Sequence, residues 1–528
     1  MTVPQAPADE APAPEVSEQW RRLDPRMIAV HPIRQFVGLL PVLAVVVITG
    51  RNGGWQTWVP VAVVVLVLGS GVLRWFTTRY RVTDERVELR SGLLNRQQRS
   101  LRRERVRTVD VTAGPAHRLF GLSVVHVGTG SVQAGAHSAL SLDAVPTAEA
   151  ERLRLLLLDR STRGAAPASA ADATSTAPAP GALASNRADA QGEVLAELHW
   201  SWLRFAPLTT SGLVAVGAMT AAAFNLANEL GLAPADIRAV RQAGDSLSGV
   251  SPTAVVALII AAVLVVAVIG SLLIYIEAWW RYRLTREPDG TLLVRRGLLT
   301  TRALSVEEKR LRGAEVHEPL LLRAACGART SAVTTGLAGR SATGALLPPA
   351  PRAQAHRVAA AALRTDPEQA TAAPLIRHSR AALTRRLTRA LLPAVLLVGL
   401  AWLLHEQLPT RWVAAFWPGA LVLLPLAVPL GIDRYRNLGH ALAERYFVTR
   451  AGSLLRRTVA VQRDGLIGWR LHQSLFQRRT GLVTLDAITA AGAGHYPTVD
   501  VSFDRAVELV DEVNPGLLPT EPRRGLQT

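Results

Sequence analysis

The sequence predicts an α+β membrane protein: six transmembrane helices in three hairpins, each hairpin followed by a small antiparallel β domain closed by a C-terminal helix. Three observations predict it. Six long apolar runs arrive in pairs, arginine crowds the chain outside each pair, and one strand-and-helix block recurs after every pair. Nearly half of the 528 residues are apolar (49%), yet the formal charge is +18, which requires charge and apolarity to be segregated along the chain. The basic residues are almost all arginine, Lys309 being the only lysine.

A helix needs about 20 apolar residues to cross the hydrocarbon layer. The first pair is residues 35–50 and Trp55–Phe76, with only 51–54 between them, which predicts a tight hairpin. The second pair is Ala206–Asn228 and Pro252–Trp279; the third is Leu391–Leu404 and Trp412–Ile432, joined by 405–410. Thr209, Thr210, Ser211 and Asn225 dilute the third run, for which a buried soluble helix is the minor alternative, but every other run has a partner. Arginine sets the orientation. Arg21, Arg22, Arg26 and Arg34 precede the first pair, and Arg74, Arg79 and Arg81 follow it. Arg377, Arg380, Arg385, Arg386 and Arg389 precede the third pair, and Arg434 and Arg436 follow it. Loops within pairs carry few: Arg51, then Arg238 and Arg241, then Arg411. The expectation is a multi-pass protein of a bacterial plasma membrane, with both termini and all three β domains cytoplasmic. Residues 1–19 are acidic and Pro/Ala-rich, without the basic start and apolar core of a cleavable signal, so the first apolar run is expected to stay in the mature protein.

The repeat sets the domain boundaries. Residues 1–19 are a tail, 20–76 a lead-in and first hairpin, 77–160 the first β domain, and 161–192 an Ala/Pro/Ser/Thr-rich flexible linker. Residues 193–279 hold the second hairpin, 280–365 the second β domain, 366–375 a linker, 376–433 the third hairpin, 434–514 the third β domain, and 515–528 a tail. Tyr80, Tyr282 and Tyr446 open the three copies, and each first strand turns back at Asp84-Glu85, Pro288-Asp289-Gly290 or Ala451-Gly452. Residues 340–356, with LLPPAPRAQ, read as a loop. Arg103 falls opposite Arg463, Arg118 opposite Arg478, and Gly121-Leu122 opposite Gly481-Leu482. The middle copy is more degraded: Ala325-Cys326 stands for Leu119-Phe120. PTAEAERLRLLLLDR, RAQAHRVAAAALR and FDRAVELVDEV are the closing helices.

These residues carry a resemblance. The block RVRTVDVTAGPAHRLFGLSVVHVGTG with its closing helix, placed directly after a two-helix hairpin and led in by His31-Pro32, resembles the bacterial pleckstrin-homology (PH) family. Multi-pass members of that family carry several such domains on one chain. The resemblance implies three PH-like domains, each of two roughly orthogonal antiparallel sheets capped by a helix. It supplies no reaction, cofactor or catalytic residue.

The residues point to no enzyme. His117, His126, His317, His472 and His495 occur in no metal-binding or catalytic spacing and read as ordinary loop or strand histidines. Cys326 reads as a small core residue, and a single cysteine excludes an internal disulfide. No phosphate-binding glycine loop, metal or cofactor is expected. What stands out is arginine: Arg96, Arg99, Arg102, Arg103, Arg105 and Arg107 in the first copy, and Arg456, Arg457, Arg463, Arg478 and Arg479 in the third. Positive-inside topology alone stocks a cytoplasmic face with arginine; the functional reading is contact with anionic lipid headgroups, worth about 1 kcal/mol per basic residue near the surface. Aromatics are too sparse among these arginines for a nucleic-acid platform. The expected function is a non-enzymatic membrane scaffold contacting anionic lipid, protein partners or a second copy of itself. The alternative is a transporter or envelope-defence component handling an amphipathic molecule or antimicrobial peptide, although no mid-span acid or base is present to serve transport.

Overall fold

The computed structural model describes residues 20–28, 30, 69, 72–73, 75–83, 85–92, 96–106, 108–128, 140–158, 192–209, 217, 252–335, 344–407 and 418–515. The chain falls into two compact units, the first carrying the first β domain and the second the other two.

In the first unit, strands β1 (Arg21–Arg22), β2 (Arg79–Val82), β3 (Arg86–Ser91) and β4 (Gln97–Arg102) form one antiparallel sheet in that order. A second antiparallel ladder joins β5 (Thr108–Ala113), β6 (Leu122–Gly128) and β7 (Leu140–Pro146). Helix α1 (Thr147–Leu158) closes it, burying Ala150, Leu153 and Leu157 against Val109, Val125 and Leu142. The strands exist because apolar residues alternate: Val109 and Val111 point one way while Asp110 and Thr112 point the other. The lead-in joins the same core through Leu23, Met27 and Val30, and Trp75 Nε1–H donates to the Leu23 carbonyl at 2.9 Å.

In the second unit, β8 (Glu193–Glu197), β9 (Arg283–Arg286), β10 (Thr291–Arg296) and β11 (Thr301–Glu307) lie side by side in that order. The remaining strands of the middle domain are β12 (Leu311–Pro319), β13 (Gly327–Thr334) and β14 (Ala345–Pro351). The third domain contributes β15 (Gly439–Leu442), β16 (Tyr446–Ala451) and β17 (Leu455–Gln462), then β18 (Leu466–His472), β19 (Leu482–Thr489) and β20 (His495–Ser502). Among the described residues five long helices complete the unit: α2 (Pro252–Trp279), α3 (Arg352–Leu363), α4 (Arg380–Gln407), α5 (Leu423–Arg436) and α6 (Phe503–Val513). Helices α3 and α6 close the middle and third domains.

The middle and third domains share one continuous sheet, β14-β13-β12-β17-β16-β15. Its joint is the antiparallel pairing of β12 with β17, from Gly313↔Val461 to Pro319↔Leu455. Gly313 permits it, because a Cβ there would strike the Ala460 carbonyl. An edge strand of one domain is thereby covered by the next, which removes a template for aggregation.

Among the described residues two helices are long and apolar enough to cross a membrane, Ala261–Trp279 and Arg380–Gln407, fewer than the six the sequence predicts. The first pair apart from its last turn, most of the third run and the start of the sixth lie outside the described residues, as do 161–191, the tail at 1–19, and 516–528. Where the third run begins, Ala206–Leu208 end a 3-10 helix (Trp200–Leu208) containing Pro207.

Three local expectations need correction. Tyr446 does not mark the place of Tyr80 and Tyr282: it opens β16, the second strand of its domain, while the first strand is Gly439–Leu442, turning at Ala443-Glu444-Arg445 without any Gly, Pro, Asn or Asp to announce it. Gly452 therefore matches Gly92 and Gly297, and all three have positive φ (101°, 99° and 110°). The Pro-rich stretch is no loop: LLPPAP lies in β14, where proline is tolerated because the strand is a sheet edge. Cys326 is exposed at φ 56°, in the left-handed position that Gly121 and Gly481 fill in the other copies, so Ala325 rather than Cys326 stands opposite Phe120.

Candidate functional site

Nine of the eleven arginines singled out above have described side chains, and they divide into three groups. Arg103 and Arg463, opposite each other in the repeat, do the same job. Each lies in a 3-10 turn and donates to the last carbonyls of its domain's closing helix: Arg103 to Leu156, and Arg463 to Glu512 (2.8 Å) and Val513 (3.4 Å). In the middle domain Arg286, from β9, reaches the Ala361 carbonyl of α3. A helix C-terminus leaves unbonded carbonyls and partial negative charge, so a guanidinium there locks the helix onto its sheet.

Arg456 belongs to the second group, at the joint between domains. Its guanidinium takes both oxygens of Glu318, which is only 2% exposed, and Nη1–H donates to Asn437 Oδ1 at 3.1 Å. Beside it, Arg323 grips both carboxylate oxygens of Asp433 at 3.0 Å, and the Ser453 hydroxyl donates to the same carboxylate at 2.6 Å. Asp433 stands in the last turn of α5, so this cluster ties the third hairpin to the middle domain. Arg457 lies one residue on, on the other face of the sheet, 3.8 Å from Glu315 and level with His317 and Arg329 on the neighbouring strands. His317 accepts or donates to Ser331 at 2.9 Å; burial, with Arg329 and Arg457 close by, pulls its pKa down to about 3, so the ring is neutral.

The third group is exposed. Arg96 and Arg102 flank or end β4 with Arg99 half-buried between them, and Arg478 and Arg479 follow the short helix Leu475–Arg478. The side chain of Arg105 and all of Arg107 lie outside the described residues.

Sequence reasoning missed the apolar neighbours of that third group. In every copy the short helix before the fifth strand after the hairpin exposes large apolar side chains: Leu119 in Pro115–Leu119, Leu320 and Leu321 in Leu320–Ala324, Leu475 and Phe476 in Leu475–Arg478. Arg118, Arg323, and Arg478 with Arg479 accompany them. The signal was a large apolar residue within six positions before Gly121 and Gly481 in the repeat, though not at the same position in each copy. The third tip is fixed to the base of its hairpin: Ser474 and Gln477 form a capping box, and Arg385 of α4 donates to Ser474 Oγ at 3.0 Å. Behind it lies a buried network. Asp500, in a bulge of β20 at φ 62°, pairs with Arg385 and Arg386 and accepts from Gln477 at 3.0 Å. His378 contacts the Asp500 carbonyl (3.1 Å) and His440 (3.1 Å).

Among the described residues no group of three His, Cys, Asp or Glu side chains is placed to hold a metal ion. A family model described as the bacterial PH domain matches the chain three times, over residues 35–161, 227–364 and 392–516, well over half of its length. No curated protein and no solved structure matches the chain.

Proposed function

Since the chain belongs to the bacterial PH domain family, we propose that it is a non-enzymatic integral membrane scaffold that holds three PH-like domains at the cytoplasmic face of a bacterial plasma membrane, apposed to anionic lipid. The observation that carries this reading is the inverted polarity of the third hairpin. Helices α4 and α5 pack through small residues, Ala394 and Ala401 on one and Ala420, Ala427 and Gly431 on and before the other, all buried. Leu392, Leu396, Leu400 and Trp402 on α4, and Leu426 on α5, face outward more than half exposed. A soluble hairpin hides its leucines and exposes its polar residues. Small residues inside and large apolar ones outside suit helices solvated by lipid. Helix α2 shows the same outward leucines and valines, Leu264, Val265 and Leu273 among them.

Strand pairing supports the hairpin topology in all three copies. The segment before each apolar pair bonds to the strand just after it: Arg21↔Tyr80, Glu197↔Arg283, and the bridge Ile376↔His440. Both ends of each pair therefore belong to one sheet, which requires an even number of crossings. On this reading all six runs span, and the three domains share one side.

The test is cysteine accessibility in intact cells, using the full chain with Cys326 replaced. A cysteine in place of Arg411, between the last two helices, should react with a membrane-impermeant maleimide from outside. One in place of Arg479 should react only after permeabilisation. Labelling in the reverse pattern, or release of the chain from membranes by alkaline carbonate, refutes the proposal.

A further inference from the structure

The middle domain reads as the degraded copy, yet it holds a cavity of about 370 Å³ with three arginines around it, Arg296, Arg302 and Arg329. The opposite wall is the end of α2, with Tyr275 and Trp279. Arg296 and Arg302 face each other across the β10–β11 pairing, and the Arg296 guanidinium lies over the Trp279 ring, 4.0 Å from its centroid. Arg329 comes from β13 of the other sheet, beside His317. The acid in this wall, Glu277, accepts from the Thr300 backbone N–H at 3.2 Å. Among the described residues neither Arg302 nor Arg329 has a carboxylate within ion-pair distance. Tyr275 O–H donates to the Pro349 carbonyl at 3.0 Å and Tyr282 O–H to that of Leu346, which anchors the helix end on β14 and holds the cavity at the level where the apolar helix ends.

The same corner of the first domain has a cavity too, lined by Leu73, Thr77, Ser91, Arg99 and Asp143. There Ser91 stands where Arg296 stands, each just before its positive-φ glycine, and one arginine faces one aspartate. The position belongs to the repeat; the excess of positive charge belongs to the middle copy.

We propose that this cavity binds a phosphate-bearing anionic lipid, its phosphate between Arg302 and Arg329 and its chains along the outward apolar face of α2. This rests on the membrane reading above. A cationic wall meeting an apolar helix end fits an amphiphile, and guanidinium forks match phosphate oxygens.

The experiment uses the full chain in a non-ionic detergent, with three probes: short-chain phosphatidylglycerol, short-chain phosphatidylcholine and inorganic phosphate, each titrated while melting temperature is followed. Phosphatidylglycerol should stabilise the protein, and Arg302→Gln and Arg329→Gln should each weaken that effect about tenfold or more, each losing charge-assisted bonds to the phosphate. Arg302 is an exposed strand-end residue, so Arg302→Gln carries the test even if Arg329→Gln folds poorly. Equal stabilisation by inorganic phosphate means a free-anion site and overturns the lipid assignment. Equal stabilisation by phosphatidylcholine, or none by any probe, overturns the proposal. Failure here in a protein that resists carbonate extraction removes the cavity's role and leaves the scaffold reading standing.

Discussion

Glu318 and Arg456 sit on adjoining strands of different domains, Glu318 buried in β12 and Arg456 reaching it with two guanidinium nitrogens from β17. A carboxylate so placed cannot be left alone. Arg352 is the next cation, at 3.7 Å and half-exposed. Arg456→Gln should therefore cost about 3 kcal/mol or more, the usual result of stripping one partner from a buried pair. Chemical denaturation of the detergent-solubilised chain measures it. Adding Glu318→Gln should return much of the loss, because two amides can hydrogen-bond without a buried charge. A silent Arg456→Gln would mean that the joint does not depend on this pair.

Cys326 makes the opposite prediction. It is an L-residue with a side chain at φ 56°, where the other two copies place Gly121 (φ 69°) and Gly481 (φ 63°). The left-handed conformation costs a non-glycine residue about 1–2 kcal/mol. Cys326→Gly should stabilise the protein by about 1 kcal/mol, read as a higher denaturation midpoint at unchanged slope. Gly452→Ala should do the reverse by more, since its φ is 101° and a Cβ would run into the Leu455 carbonyl.

These residues show what was legible in the sequence and what was not. Alternation and closing-helix patterns are local, so the strand-rich blocks and the helices at 147–158, 352–363 and 503–513 could be read directly. The turn at 443–445 could not, because it uses Ala, Glu and Arg, and its invisibility moved the opening of the third copy by one strand while the block from Arg463 onward stayed in place. The arginines were visible as a group but not as individuals. Arg463 and Arg456 serve a helix end and a buried glutamate that lie 49 and 138 residues away in sequence, and no local pattern announces such partners. The cavity arginines Arg296 and Arg302 become neighbours only through strand pairing.

The histidine pair beneath the third hairpin gives a pH dependence. Burial, aided by Arg386, lowers His378 to about 4, and burial, aided by His378 and Arg505, lowers His440 to about 3. Both rings are thus neutral in the folded chain well below their ordinary value of 6.5. Below 6.5 the unfolded chain takes up protons that the folded chain refuses, so this stability is complete above 6.5 and drains away as pH falls toward about 4 and 3. Melting temperature should drop between pH 6.5 and 5, ahead of carboxylate titration. His440→Gln should flatten that slope. An unchanged slope would assign the acid sensitivity elsewhere, with His317 (lowered to about 3) next in line.

If the chain is the membrane scaffold proposed above, the exposed tip of the third domain is where that domain should meet the bilayer. Leu475 and Phe476 are 76% and 69% exposed, Arg478 and Arg479 follow, and Arg385 holds the tip's Ser474 six residues before the apolar run that begins at Leu391. Apolar side chains cost about 1.5–3 kcal/mol each to keep in water rather than bury, and headgroups supply both an apolar boundary and anions for the two arginines. An environment-sensitive fluorophore at Leu475→Cys, in the Cys326→Gly background, should be blue-shifted and quenched by nitroxides carried in the acyl region. The same fluorophore at Glu508→Cys, on an exposed turn of α6, should not. Leu475→Ser with Phe476→Ser should leave the denaturation midpoint near its original value, since neither side chain is packed in the core. A label at 475 that stays in water would detach the tip from the membrane surface and make its two apolar side chains a site for another protein.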